Sequence, residues 1–273
     1  MNTVPNLTDR QALLRHRTRC ESDPADFLHL EAIAEIKDRL SMVNRTFTDV
    51  AIVTGFPAIW AVAFPDAKIV ADDDVLGLEP EAHDLVIHAM SLHWASDPVG
   101  QLIQCRRALR PDGLFLSVAF GGSTLTELRD ALSKAEAQVM GGLSPRVAPM
   151  AEIRDMGGLL QRAGFALPVA DSLPLNVEYR DVLHLMHDLR AMGETNALTL
   201  RHRKPVPRSL FAAAQLHYAQ NHPGSDGRLK ATFELLFLLG WAPADTQPKP
   251  LRPGSATHSL AAALGTKENP LSD

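Results

Sequence analysis

Cysteine and long apolar runs are both scarce in this sequence, and each scarcity excludes a class of protein. Two cysteines, far apart and outside any CxxC pattern, occur in 273 residues, which excludes a disulfide framework and a cysteine metal knuckle. We expect a reducing, cytoplasmic location. No apolar run approaches the roughly 20 residues that span a bilayer, and residues 1–20 lack the apolar segment of a secretory signal. We therefore expect no transmembrane segment.

An excess of basic charge is also missing. Lys and Arg total 27 against 32 Asp and Glu, giving a formal net charge of −5. This balance argues against a general nucleic-acid-binding protein, and a solvated loop explains the short basic run Arg201–Lys204 better than a binding role does. Apolar residues make up 45% of the chain, which is ordinary for a globular protein able to bury a full core.

The most informative absence concerns glycine after the first predicted strand. The apolar run DVAIV (49–53) leads into Thr54, Gly55, Phe56 and Pro57, a turn with one glycine and no carboxylate. In α/β sheets that bind nucleotide-like cofactors, glycines at this turn let the ligand approach the backbone. Pro57 lacks an N–H donor and Phe56 adds bulk, so Thr54 and Gly55 are the cofactor contacts that this turn offers.

What the sequence does contain is an alternation of short apolar strands and helices. Strands are predicted at 49–53, 67–71, 84–90 and 114–120, after two helices over residues 8–42. This alternation predicts a parallel, doubly wound α/β sheet. Thirty residues separate Thr54 from Asp84. Two strand–helix units would need about twice as many, so we expect one unit to be reduced near residues 55–70.

The second half of the chain continues the pattern. Helices are predicted at 124–140, 150–163, 180–192 and 206–219, and an inserted helical cap is expected. Residues 168–179 and 229–240 are expected to form an antiparallel pair, although the Leu-rich centre of the second segment also suits a helix. The predicted organisation is N-terminal helices over 1–45, a sheet domain over 46–245 and a loosely held tail over 246–273.

Polar side chains follow the predicted strands. Asp72 and Asp73 come after the second strand and could accept a hydrogen bond from an adenine amino group, although an acidic surface turn also explains them. His88 and His93 lie at and just past the carboxyl end of the third strand, the edge where open α/β sheets bind ligands. We place both among the cofactor contacts. Trp94 could floor a substrate pocket, with a packed corner as the alternative.

A glycine pair follows the fourth strand and precedes a helix. Gly121 and Gly122 would leave backbone N–H groups that can bind an anion, whereas a glycine break with a Thr124–Glu127 capping box is the alternative. Arg129 is too far into the helix to serve the cap. We therefore expect Arg129, with Glu127 and the glycines, to form a partner or substrate surface at the mouth of a pocket, where Arg129 binds a carboxylate.

A metal site is not indicated. His184 and His187 are spaced three apart on one predicted helix, which can hold a metal ion. A pair on an amphipathic helix surface explains them better, and we predict no metal.

Several strings of the sequence are shared with one group of proteins. They are GGSTLTELR, HDLVIHAMSLHW, RALRPDGLFLSVAFGG, GGLSPRVAP, MGETNAL and ATFELLFLLGW. Through them the chain resembles the mitochondrial complex I assembly factor 5 (arginine hydroxylase) group and, more distantly, the biotin-pathway malonyl-carrier-protein methyltransferases. Both lie in the class I S-adenosylmethionine-dependent methyltransferase superfamily. The likeness runs from about Leu7 to Ala256, with a gap at Gly55–Lys68.

The resemblance implies a Rossmann-like methyltransferase fold, S-adenosylmethionine as cofactor and a protein partner or substrate, such as a respiratory complex subunit. It leaves Gly55, Asp72 and Asp73 as cofactor contacts, with no counterpart for the ribose carboxylate. The loss of two charge-assisted contacts would weaken cofactor binding by roughly 10²–10⁴. Three functions stay open, namely a divergent methyltransferase, a protein-modifying hydroxylase of the assembly-factor kind and a non-catalytic docking or assembly protein. No catalytic residue follows from the sequence.

Overall fold

The computed structural model describes residues 6–20, 24–248 and 259–266. The chain divides into two compact units, Met1–Pro243 and Ala244–Asp273. The helices of the first unit, in chain order, are α1 (Arg10–Cys20), α2 (Phe27–Met42), α3 (Pro57–Ala63), α4 (Pro98–Ala108), α5 (Thr126–Met140), α6 (Ile153–Ala163), α7 (Val182–Ala191) and α8 (Arg208–Asn221). Its strands are β1 (Val50–Thr54), β2 (Lys68–Val70), β3 (His83–Ala89), β4 (Leu109–Phe120), β5 (Ala166–Tyr179) and β6 (Leu229–Trp241).

The described strands form one six-stranded sheet in the order β2-β1-β3-β4-β6-β5. The pairs β1–β2, β1–β3 and β3–β4 are parallel, whereas β6 runs antiparallel to both β4 and β5. Between Thr54 and Asp84 the chain forms only α3 and the short strand β2 before entering β3. The prediction of a doubly wound sheet with one reduced strand–helix unit is therefore confirmed.

Strand β6 shows why its Leu-rich centre was ambiguous from the sequence. It lies between β4 and β5, and its central residues, Leu235 to Leu238, are all buried. A strand covered on both faces loses the apolar–polar alternation that distinguishes a strand from a helix. The strand interpretation, with β5 as its antiparallel partner, is confirmed.

Apolar clusters lie on both faces of the sheet. One joins α2, α3, α5, α7 and α8 to the strands and includes the buried residues Ile36, Trp60, Leu185 and Tyr218. The other joins α4 and α6 to the opposite face through Leu102 and Leu160. The expected helical cap is present as α7 and α8, between β5 and β6.

The second unit contains a single described helix, α9 (Leu260–Ala263). The predicted tail over residues 246–273 falls mostly outside the described residues. Within the described part of the chain, no helix combines the length and apolar character needed to cross a membrane.

Candidate functional site

The turn after β1 is closed by its own side chains. Thr54 ends the strand, and its Oγ1 accepts a hydrogen bond from the backbone N–H of Phe56 at 3.1 Å. The Phe56 ring is turned inward, with its centroid 4.4 Å from that of the His29 ring on α2. Pro57 then begins α3, a position that tolerates proline because the first-turn N–H has no helical partner.

Arg17 of α1 lies directly against this turn. A Cβ added to Gly55 would come within 1.9 Å of Arg17 Nη1 and 2.2 Å of its Cζ. The guanidinium carbon also lies 5.1 Å from the centroid of the Phe56 ring. The missing side chain at Gly55 therefore makes room for an arginine of the same chain.

The same arginine is paired with Asp72. Arg17 Nη1 donates to both carboxylate oxygens of Asp72 at 2.9 Å, and Arg10 Nη2 adds a bond of 2.7 Å to Oδ1. The Asp72 side chain is 3% exposed and that of Arg17 is 5% exposed. Burial alone would raise the pKa of Asp72, but the two guanidinium groups lower that pKa to about 2. Asp72 is thus ionised and held by two cations.

Asp73 is more loosely tied to α1. Its Oδ1 accepts from Arg10 Nη2 at 3.0 Å, and its side chain is largely exposed. The backbone of the same loop is fastened to α4, because Gln101 Nε2 donates to the carbonyl of Asp73 at 3.0 Å. The two expected adenine contacts therefore lie on one loop, with Asp72 turned inward and Asp73 outward.

His88 is a core residue at the end of β3. Its Nε2 lies 2.8 Å from Gln101 Oε1, and the side chain is completely buried. Burial lowers the pKa of His88 to about 4, so the ring is neutral at pH 7. His88 stands close to the Asp72 loop through Gln101, but its ring does not reach the neighbouring cavity described below.

His93 and Trp94 converge on a carboxylate that sequence reasoning missed. Both lie on the short helical turn Leu92–Trp94 after β3. Glu194 Oε2 accepts from Trp94 Nε1 at 2.7 Å and lies 3.2 Å from His93 Nε2. Glu194 follows α7 within MGETNAL, one of the strings that carried the resemblance, and that string was the available signal.

Glu194 is an ionised carboxylate with unused hydrogen-bonding capacity. Burial raises its pKa, but His93, Arg17 and the Trp94 hydrogen bond outweigh that effect, and the net shift of the pKa is downward. Both side-chain hydrogen bonds of Glu194 fall on Oε2. Within the described residues, no donor is bonded to Oε1.

A cavity of about 220 Å³ lies beside this carboxylate. Its volume is below the ~300–1,000 Å³ typical of small-molecule sites, so it suits one side chain better than a cofactor. The wall is mostly apolar and aromatic, with polar groups at one end. It is lined, among others, by Trp94, Phe120, Leu128, Leu189, Phe233, Glu194, Thr195, Asn196, Arg146 and Arg190.

The glycine pair after β4 meets carboxylates instead of an open anion site. A Cβ at Gly121 would lie 2.6 Å from Glu234 Oε2, and one at Gly122 would lie 2.3 Å from Glu152 Oε1. Glu234 Oε2 also accepts the backbone N–H of Ser123 at 2.8 Å. The anion-binding interpretation of this turn is therefore wrong, because acidic side chains of the chain already occupy it. A contact of the two glycines with a partner stays a prediction.

The alternative capping box does not form either. Helix α5 begins at Thr126, after Leu125 in the left-handed conformation (φ 55°). The Thr124 hydroxyl bonds to the backbone of Glu234, and Glu127 Oε2 accepts from the N–H of Thr232 at 3.2 Å. Glu127 thus ties α5 to β6 and is buried, which is a structural role.

Arg129 fastens a loop that lines the cavity. Its Nη2 donates to the carbonyl oxygen of Ala148 at 3.2 Å and lies 3.5 Å from that of Thr124. Ala148 is part of the cavity wall, whereas Arg129 itself is only half-buried behind it. Its binding of a partner carboxylate stays a prediction.

A metal centre finds no support among the residues that the structure describes. No group of three or more His, Cys, Asp or Glu side chains is placed there to hold an ion. The ring of His184 packs edge-on against Tyr179, with 5.5 Å between the ring centroids.

Comparison with known proteins places the chain among methyltransferase folds. The methyltransferase-domain family matches residues 39–117, from the end of α2 into β4. The arginine-hydroxylase NDUFAF5 of Danio rerio is 38% identical over 197 residues, which are 72% of this chain and 61% of that protein. The malonyl-[acyl-carrier protein] O-methyltransferase of Nitrosospira multiformis is 34% identical over 176 residues, 64% of this chain and 55% of that protein.

A solved structure supports the fold alone. The YcgJ protein of Bacillus subtilis superposes with a TM-score of 0.50 at 10% identity, covering 78% of this chain and 99% of that one. The chain is thus a methyltransferase-fold protein that resembles the NDUFAF5 group. It spans about half the length of the curated relatives it matches.

Proposed function

We propose that this methyltransferase-fold chain acts on a protein partner by taking one cationic side chain of that partner, an arginine or a lysine, into the cavity beside Glu194. The observation that carries the proposal is the ionised carboxylate of Glu194, whose side chain is only 8% exposed and whose Oε1 has no donor within the described residues. A carboxylate largely withdrawn from water gains from a cationic donor on its free oxygen.

The wall of the cavity suits a guanidinium group. Trp94, Phe120 and Phe233 offer aromatic faces, and an arginine side chain can stack on such faces while it donates to a carboxylate. Two arginines also line the cavity. Glu136 accepts from Arg146 Nη2 at 2.6 Å and offsets its charge, whereas Arg190 is exposed to solvent, which screens its charge. The name of the NDUFAF5 relatives, arginine-hydroxylase, agrees with an arginine substrate. The complex I resemblance makes a respiratory complex subunit the partner class we propose.

We expect S-adenosylmethionine to bind only weakly, if it binds at the turn after β1 and the Asp72 loop. Arg17 fills the space against Gly55, Asp72 is saturated by two arginines, and the ribose carboxylate has no counterpart. These residues do not fit the cofactor in the arrangement described, and we derive no chemical step through it.

The location we propose is the cytoplasm, on the sparse cysteine content alone.

The proposed weak binding of the cofactor is tested by calorimetric titration with S-adenosylmethionine and S-adenosylhomocysteine. We expect dissociation constants of about 100 µM or weaker. A sub-micromolar constant would overturn this part and make a divergent S-adenosylmethionine-dependent methyltransferase the leading function.

Binding of a cationic side chain in the Glu194 cavity can be followed by NMR of Trp94. The indole N–H of Trp94 is bonded to Glu194, so its NMR signal should shift when a cation binds Oε1. N-acetylarginine amide should shift that signal, and N-acetylcitrulline amide, equal in shape but uncharged, should not.

Two variants test whether the Glu194 carboxylate itself is responsible for the binding of arginine amide. Glu194→Gln should weaken arginine amide binding by about tenfold or more, as expected for a charge-assisted hydrogen bond. Glu31→Gln, on the exposed face of α2, is the matched control and should bind as the wild type does. Equal affinity for the arginine and citrulline compounds would reject the proposal.

A further inference from the structure

A second, basic pocket adjoins the Glu194 cavity. It is lined by His16 and Arg19 of α1, Arg190 of α7 and Thr195. Arg190 and Thr195 also line the cavity, so the two spaces share a wall. A segment bound in one of them is therefore brought against the other.

The two arginines of this basic pocket differ from most arginines near them. Arg10 and Arg17 pair with Asp72, Arg146 pairs with Glu136, and Arg201 pairs with Asp9. Arg19 and Arg190 form no ion pair within the described residues, although the whole chain carries a net negative charge. Their guanidinium groups are available to an external anion.

His16 contributes the imidazole ring of the pocket wall. The ring is half-buried, and its Nε2 has no hydrogen-bond partner among the described residues. Burial lowers the pKa of His16, the charges of Arg19, Arg201 and Arg15 lower it further, and a hydrogen bond to the backbone of Asn196 acts in the opposite direction. The basic character of the pocket therefore comes from its two arginines.

Helix ends account for only part of this arrangement. Arg19 lies in the last turn of α1 and Arg190 in the last turn of α7, where a positive charge favours the helix dipole. That effect acts on each helix separately. It does not require the two cations to converge on one pocket with His16 and Thr195.

We propose that this basic pocket binds a carboxylate side chain, Asp or Glu, of the same partner segment that inserts its cationic side chain beside Glu194. The inference rests on the proposed function and deepens it, because it gives the segment a second recognised residue of opposite charge. Arg19 and Arg190 supply planar donors that match a carboxylate, with the Thr195 hydroxyl as an additional donor. The two spaces together discriminate an acidic–basic segment from a purely basic one.

The test uses short Gly/Ser peptides with one central arginine. In each peptide a single glutamate stands at a different position before or after the arginine. A control peptide carries glutamine at the same position. At the favoured position, glutamate should bind the wild-type chain about tenfold more tightly than glutamine. No advantage at any position would overturn the inference.

Two variants test whether the tighter binding of the glutamate peptide depends on the basic pocket. Arg19 lines the basic pocket but not the cavity, so Arg19→Gln should remove the glutamate advantage and leave the affinity of the glutamine peptides unchanged. Arg15→Gln, an exposed change on the same helix, should keep the advantage. Retention of the full advantage in Arg19→Gln would also reject the inference.

Two further outcomes are distinguishable. Loss of the arginine preference, measured against citrulline peptides, would reject the cavity proposal, whereas loss of only the glutamate preference would reject the basic pocket. If a phosphoserine peptide binds much more tightly than the glutamate peptide, and inorganic phosphate displaces it, the assignment to a carboxylate is wrong.

Discussion

Arg17 and Asp72 are 55 positions apart in the sequence, yet Nη1 of Arg17 lies 2.9 Å from each carboxylate oxygen of Asp72. The pair joins α1 to the loop after β2 and lies against Gly55, at the carboxyl edge of the parallel strands, where open α/β sheets bind ligands. The consequences for stability can be measured without knowledge of the partner.

Removal of the Arg17 charge should cost far more than removal of the Arg10 charge. Arg17→Met keeps the alkyl stem but leaves Asp72 partly uncompensated in a buried place, and we expect a loss of about 3 kcal/mol of unfolding free energy. The Arg10 side chain is 32% exposed, so Arg10→Met should cost less than about 1 kcal/mol. Urea unfolding of the two variants checks this prediction. Equal losses of unfolding free energy in the two variants would show that the buried Arg17–Asp72 pair stabilises the fold no more than the Arg10–Asp72 pair does.

The Asp72 carboxylate should make stability depend on pH in the acid range. Its pKa in the folded chain is lowered from 3.8 to about 2. The stability from the ionised form is therefore fully present above the unfolded-state pKa and is lost as the pH falls through the folded-state pKa. The shift corresponds to about 2 kcal/mol.

The measurement is the unfolding free energy of the wild type and of Asp72→Asn across the acid range. The advantage of the wild type should shrink by about 2 kcal/mol as the pH falls from about 5 to about 2. If the difference in unfolding free energy between the two proteins stays constant over this range, the pH dependence does not come from Asp72.

Gly55→Ala should be harmful only while Arg17 is present. The new Cβ would lie 1.9 Å from Arg17 Nη1, so the guanidinium must leave its place beside Asp72. Gly55 is not among the described glycines with positive φ, so alanine adds no backbone strain there. We expect a cost of roughly 2–4 kcal/mol in the wild type and less than about 1 kcal/mol in an Arg17→Ala background.

A double-mutant cycle measures this coupling directly. Gly158→Ala is the matched control, because a Cβ at that position in α6 meets open space and should be neutral or stabilising. Additive effects of Gly55→Ala and Arg17→Ala would contradict the contact.

Arg129→Ala should loosen the cavity wall. The change removes the bond to the Ala148 carbonyl, and we expect a loss of about 1 kcal/mol with weaker binding of arginine amide. Arg154→Ala, an exposed change on α6, should alter neither quantity. Thermal unfolding and the Trp94 titration measure both effects. A loss of about 3–5 kcal/mol would identify Arg129 as a buried structural ion. If neither stability nor binding changes, this residue has no role in the cavity.

The sequence by itself determined the fold class and the reduction of the sheet. Apolar periodicity, turn residues and the short spacing from Thr54 to Asp84 act over a few to a few tens of residues, so they are visible along the chain. The single glycine at position 55 was visible in the same way. Its partner was not, because nothing local selects Arg17 from the 27 Lys and Arg residues of the chain.

Only the tertiary structure decided what fills the carboxyl edge of the sheet. Glu194 meets Trp94 across 100 positions, and Glu234 meets the Ser123 N–H across 111. The path of the chain through α1, α7 and β6 sets these pairings, and that path depends on how separate helices pack on the sheet. The sequence therefore predicts a ligand at this edge. The fold fills the turns there with carboxylates and guanidinium groups of the chain itself.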